Sequence, residues 1–251
     1  MAKSKITAIL NVHREGLLAV PAIASIYRNT DRLLDAGYEV EILGIMDRSD
    51  PLTKSVIESR FRKDVTLIET DFGDAGLARN HAVNVATGDF LGFLDADDLW
   101  GADWLIRAAD MAQTREASAI WHPEVSIYFG DAKLAFYHID MEDPRFEPTG
   151  LALDNYWTAL SFAAREIYSQ NPYPPTDLRE GIGFEDWSWN MNTISAGLLH
   201  KVVPKTGHAI RRRLRSLSRM TLKADAISHP GDYIKHVIET RDPQITLQID
   251  Q

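Results

Sequence analysis

Over its first 120 residues the chain alternates between two hydrophobic periods. "KITAILNV" (5–12), "YEVEILGIM" (38–46), "VTLIET" (65–70) and "DFLGFLD" (89–95) are short runs dominated by apolar residues. Runs of this kind are expected of strands covered on both faces. Between them lie stretches with helical spacing. Leu18, Ala22, Ile26 and Leu33 share one face of a helix over 17–35 that stops at Gly37. Asp50 and Pro51 are a cap and a first-turn proline for a helix in "DPLTKSVIESRF". "GDAGLARNHAVNVA" reads as a third helix closed by Gly88, and "GADWLIRAADMAQ" as a fourth. Strand and helix in strict alternation predict an α/β layer fold with a mainly parallel sheet.

After residue 120 the period changes. "AIWHPEVSIYFG" and "AKLAFYHID" flank Gly130–Asp131 and alternate apolar with polar, as an antiparallel pair does. Residues 141–180 are rich in Pro, Asp and Asn, which predicts loops around a short helix near "LALDNYWTAL". Residues 184–197 have helical character and end at Gly197. Internal repeats and low-complexity tracts are absent from the sequence. One domain over 1–225 is expected, with halves of about 1–115 and 116–225, followed by an extension over 226–251 suited to self-association as a homo-oligomer.

Composition narrows the chemistry. With no cysteine among 251 residues, disulfides, thiolate metal sites and cysteine nucleophiles are excluded. A formal net charge of −9 argues against nucleic acid as a partner, because phosphates must be neutralised by basic surface. The N-terminal apolar run soon meets His13, Arg14 and Glu15, unlike a signal peptide, and no run is long enough to span a membrane. A cytoplasmic location is the expectation.

The chemistry concentrates where the fourth strand ends. Asp95, Asp97 and Asp98 crowd the tip of "FLGFLDADDLW". In open α/β sheets, ligands bind at the carboxyl ends of the strands. Oxygen ligands without His or Cys suit a hard cation, Mg²⁺ or Mn²⁺, completed by phosphate oxygens and water. The same residues also suit two plainer readings. They can cap the helix that starts near Asp103, or act as the Asp-x-Asp of a haloacid dehalogenase-type phosphatase. The latter expects Thr or Val where Leu99 stands, and belongs on a first strand.

The longer stretch "GLARNHAVNVATGDFLGFLDADDLW" resembles the central motif of family 2 glycosyltransferases with the GT-A fold. It matches at Arg79, Asn80, Ala86, Gly88, Asp95, Ala96, Asp97 and Asp98, and departs at His81–Ala82–Val83, where the family has a Gly. "ITAILNVHRE" stands at the first strand and loop, with Asn11 and His13 for the usual Pro and Tyr. "EILGIMDRSDPLT" stands at the second-strand motif without its Gly, and "EGIGFEDWSWNMNTISAGLLHKV" resembles the Glu-Asp-Trp helix. The resemblance covers about residues 5–220.

It implies an inverting glycosyltransferase. A UDP- or GDP-sugar would be the donor, a glycan, lipid-linked or small-molecule hydroxyl the acceptor, and Mn²⁺ or Mg²⁺ the cofactor. Asp47 would accept a hydrogen bond from the nucleotide base, and Asp95 would face the ribose or diphosphate. Asp97 would ligate the metal, with Asp98 second in line and His208 a further candidate. Arg79 would meet the diphosphate or brace the base pocket. Asp186 would be the catalytic base, with Glu185 supporting the local backbone; neighbours on a helix point about 100° apart and cannot share one task. Trp187 and Trp100 flank the site and could stack on sugar faces, although with six tryptophans in the chain core packing is the commoner job for most of them. In "HAIRRRLRSLSRM", Arg212, Arg213 and Ser216 would close near the donor phosphates, and the remaining arginines suit a weak contact with a membrane surface. Two rivals remain: a nucleotidyltransferase of related fold, against which the single Gly of "NVHREGLL" counts, and a nucleotide-sugar-binding protein without catalysis.

Overall fold

The structure, a computed structural model, describes residues 3–114, 118–213 and 217–241. The four apolar runs are parallel strands. β1 (Lys5–Val12) lies between β2 (Glu39–Asp47) and β4 (Phe90–Asp95), and β3 (Thr66–Thr70) pairs outside β2. All four therefore deliver their carboxyl ends to one edge. In β1, Ile6, Ala8, Leu10 and Val12 enter one core while Ile9 enters the other. The strand is apolar throughout because both faces are covered.

The first core is closed by α1 (Ala19–Asp35), α2 (Pro51–Arg60) and α4 (Trp104–Thr114), and the second by α3 (Ala75–Val85). Asp50 caps α2 by accepting from the Thr53 amide at 2.8 Å, and Asp74 caps α3 by accepting from Leu77 at 2.8 Å. Each cap satisfies an amide that has no partner within the helix.

The expected antiparallel pair is β6 (Ala119–Gly130) with β7 (Leu134–Tyr137), joined through Gly130 at φ +89°. The sheet continues β4–β8–β6–β9–β5, nine strands among the described residues, with β5 (Leu99–Trp100), β8 (Phe162–Ala164) and β9 (Leu199–Arg212). β8 and β5 are too short to show a period.

The helix expected near "LALDNYWTAL" falls earlier. α5 is a single turn, Pro148–Leu151, started by Pro148. Asp154 and Asn155 then favour turns over helix, and Trp157 is buried with Nε1 donating to the Ile139 carbonyl at 2.8 Å. α6 (Arg165–Gln170) follows β8, and α7 (Glu185–Ser195) ends before Gly197 at φ +82°. Beyond it come α8 (Leu217–Lys223) and α9 (Tyr233–Arg241). The described part of the expected extension folds back on the domain. Tyr233 is buried among Leu151, Trp157 and Met191, and its hydroxyl donates to the Pro148 carbonyl at 2.7 Å. Among the described residues no helix is long and apolar enough to cross a membrane.

Candidate active site

β1 is the point where the sheet's order reverses, with β2 on one side and β4 on the other, and in open α/β sheets the ligand crevice lies beyond such a strand's carboxyl end. Asn11 lies in register with Asp95; its carbonyl accepts from the Ala96 amide at 2.9 Å and its Nδ2 donates to Asp95 Oδ1 at 3.3 Å. The Asp98 amide donates back to the Asp95 carbonyl at 3.0 Å. This tight turn crowds three carboxylates at the strand end.

Their charge is expensive there. Burial first, then neighbouring Asp95 and Glu15, push the Asp97 carboxyl up to about 6, against the pull of Arg213. Burial, then Asp97 and Asp95, push Asp98 well above the usual carboxylate range, although its Oδ1 accepts from the Arg211 amide at 2.7 Å. Hard oxygen donors that repel one another fit a divalent cation. Among the described residues no group of three or more ligating side chains is placed to hold a metal unaided. By donor chemistry Asp97 and Asp98 are oxygen ligands of the kind that Mg²⁺ or Mn²⁺ takes together with substrate phosphates and water.

Arg79 on α3 is only 2% exposed and does not reach out toward a diphosphate. Its guanidinium donates to Glu185 Oε1 at 2.9 Å and to both oxygens of Asp95 at 3.0 and 3.2 Å. Burial works against this charge, but the two carboxylates more than offset it and its pKa is raised. Arg79 thus bolts the start of α7 to the end of β4. The neighbours at that helix start diverge as the helical twist requires: Glu185 turns inward to Arg79, while Asp186 Oδ2 accepts from Asn155 Nδ2 at 3.3 Å. Burial, then the adjacent Glu185 charge, lifts the Asp186 carboxyl to about 7, with Arg79 opposing. Phe184, in the left-handed region at φ +53°, supplies the sharp entry to α7.

Tyr128 on β6 lies beneath the Arg212 guanidinium. Burial raises its phenol; Arg212, stacked 4.4 Å over the ring, lowers it, and both Asp186 and Asp98 lie close enough to raise it further.

Asp47, at the end of β2, is committed within the protein. Oδ1 accepts from the Thr70 hydroxyl at 2.9 Å and the Phe72 amide at 2.7 Å, and Oδ2 accepts from the Gly73 amide at 2.8 Å. About one of a carboxylate's four acceptor positions remains for a ligand. Beside this loop is a cavity of about 320 Å³, lined in part by Phe72, Gly73, Leu77, Thr176 and Met220.

Two of the expected site residues, Trp100 and His208, are buried in the protein interior. Trp100 is 2% exposed and its Nε1 donates to the Phe93 carbonyl at 3.1 Å, which makes it a core residue and not a sugar platform. Trp187 is half-buried and anchored by Nε1 to the Leu151 carbonyl at 2.6 Å. His208 is buried with its ring edge-on to Trp104 at 4.7 Å, and burial holds its pKa well below the usual value. The titratable groups that act on it are His122 on β6 and His138 just after β7, both buried. Ser216 lies outside the described residues. Conversely, Glu15 was not foreseen: nearly buried, it accepts from the His13 amide at 2.7 Å and faces Arg213. Its one sequence signal is an acidic residue just past the end of β1.

A parallel sheet extended by antiparallel strands, with an acidic crevice at the switch point, is the architecture of the GT-A glycosyltransferases. The TarS protein of S. aureus (residues 1–349), solved with UDP-GlcNAc, superposes with a TM-score of 0.67 at 16% identity, over 92% of this chain and 64% of that one. GalNAc-T7, solved with UDP, GalNAc and Mn²⁺, gives 0.61 at 18% identity, over 85% and 44%. The family model for glycosyl transferase family 2 matches residues 9–165, and the chain belongs to that family. It is 32% identical over 149 residues to the succinoglycan biosynthesis protein ExoW of Rhizobium meliloti, covering 56% of this chain and 42% of the relative. To ExoM of the same organism, also named a succinoglycan biosynthesis protein, it is 31% identical over 85 residues, 33% and 27%. The chain thus spans less than half the length of these curated relatives.

Proposed function

We propose that this chain moves a sugar from a UDP- or GDP-linked donor to an acceptor hydroxyl, on a glycan, a lipid-linked saccharide or a small molecule, with inversion at the anomeric carbon. The observation that carries this reading is the Arg79 bridge. It fixes an acid cluster at the end of β4 relative to a second carboxylate, Asp186, whose pKa of about 7 suits a general base at neutral pH.

Asp186 takes the proton from the acceptor hydroxyl as that oxygen attacks the anomeric carbon. Glu185 does not compete for the proton, because Arg79 occupies it. One carboxylate placed as base, with its neighbour Glu185 tied to Arg79, supports one in-line displacement, which inverts. Asp97 and Asp98 are the residues to hold Mn²⁺ or Mg²⁺, and Asp95, oriented by Arg79 and Asn11, faces the ribose or diphosphate. When bound, the cation supplies Lewis-acid neutralisation of the departing diphosphate. Arg212, the last residue of β9, and Arg213, just after it, contribute further positive charge. The base is read at the Asp47 loop and the cavity next to it. UDP in the sites of TarS and GalNAc-T7 is consistent with a uridine donor, although the fold alone is shared with them.

The test is a panel of UDP- and GDP-sugars with Mn²⁺ or Mg²⁺, scored by release of nucleoside diphosphate. Release with one donor, lost on chelation, is the expected result. Release that survives chelation removes the metal from the account, and no release with any donor and acceptor favours binding without catalysis.

A further inference from the structure

Asp97, assigned above to the cation, already has a positive partner. Arg213, at the exit of β9, donates Nε to Asp97 Oδ2 at 2.8 Å, and a terminal nitrogen lies 3.8 Å from Glu15 Oε1. The three residues come from three separate places: the turn after β4, the turn after β1 and the end of the last strand. The two carboxylates are 11% and 8% exposed, while Arg213 is 35% exposed. Two nearly buried carboxylates facing one crevice repel each other strongly at the reduced dielectric there, and need a cation between them. The guanidinium meets that need.

A divalent cation on Asp97 would meet the same need at the same oxygen. We propose that Arg213 is the resident counter-charge of Asp97, a position it must yield before a divalent cation can bind, and that Glu15 is the second anchor that keeps Arg213 over the crevice. This rests on the reading of Asp97 as a metal ligand. Its consequence is ordered loading. The cation alone binds weakly, because it must first displace an internal ion pair. A diphosphate arriving with the cation gives the freed guanidinium a new anionic partner whose geometry matches its fork.

The experiment is calorimetric titration of the full chain with Mn²⁺ alone, without nucleotide. It compares the parent with Arg213→Gln, Arg213→Lys, Asp97→Asn and Arg14→Gln. Arg213→Gln removes the competitor and is expected to tighten Mn²⁺ binding by about tenfold or more. Arg213→Lys keeps the charge but loses the fork, and is expected to fall between it and the parent. Arg14 is exposed and donates to a backbone carbonyl at 3.2 Å, so Arg14→Gln removes equal charge outside the pair and is expected to change affinity by less than about twofold. Thermal melts establish that each variant is folded. Affinity in Arg213→Gln within twofold of the parent, or matched by Arg14→Gln, overturns the competition; if Asp97→Asn still weakens Mn²⁺ binding, the metal reading stands without it. Mn²⁺ binding that is indifferent to Asp97→Asn in both the parent and the Arg213→Gln background overturns both.

Discussion

Replacing Arg79 by Met tests the bridge on which the site depends. The side chain is 2% exposed and serves two carboxylates on different elements, with Tyr173 beneath the guanidinium at 5.5 Å. Methionine fills similar space but leaves Glu185 charged, nearly buried and without its partner. Breaking a buried pair in this way costs about 3–5 kcal/mol. Asp95 is partly exposed and rehydrates, so its loss adds about 1 kcal/mol or less. A total near 4 kcal/mol corresponds to a fall of about 8–16 °C in melting temperature for a chain of this size. The variant Arg79→Met/Glu185→Leu removes the orphaned charge and is expected to recover part of that loss, because contacting residues couple by up to about 3 kcal/mol. Thermal and urea melts followed by circular dichroism read both variants. A melting temperature for Arg79→Met within 2 °C of the parent, or no recovery in the double variant, would refute the bridge.

Other expectations follow from the same geometry. With Asp186 as base, the turnover rate rises as pH climbs through about 7 and falls tenfold per unit well below it; a profile flat from pH 5 to 8 contradicts the assignment. Asp98 is raised in the folded state, so the native protein holds this proton more tightly than the unfolded chain does. The sign is then fixed: stability is greatest below the unfolded value near 4 and is lost as pH rises through the folded value. Asp98→Asn, which keeps an acceptor for the Arg211 amide, is expected to raise the melting temperature at pH 8 and give no gain at pH 4; an equal change at both sinks the argument. Trp100→Ala should destabilise by about 3–5 kcal/mol through the cavity it leaves, with donor affinity unchanged in the fraction that folds; the opposite pattern in melts and titrations would restore it to the binding surface.

The first half of the fold was legible because its signals are local. Apolar runs covered on both faces, caps at Asp50 and Asp74, and carboxylates at a strand end can each be read within a few residues. β8 and β5, of three and two residues, are too short to carry a period and owe their existence to neighbouring strands. The acid cluster was visible, but its wiring was not. Arg79 and Glu185 are 106 positions apart, and nothing in the spacing says that one guanidinium holds both Glu185 and Asp95. Glu15 was missed for the same reason, since its partner lies at the far end of the domain. Trp100 and His208 both lie buried, and a residue's place beside a motif does not say whether its side chain faces the core or a ligand.

Asp186→Asn gives the most direct test of sugar transfer at this site. Asparagine keeps the size of the side chain and its contact with Asn155, but cannot take a proton from the acceptor. With the donor identified by the panel, binding measured by calorimetry should stay within about twofold of the parent, while transfer falls by about 10²–10⁴-fold, the usual contribution of a general base. Transfer at the parental rate with binding intact would contradict the account.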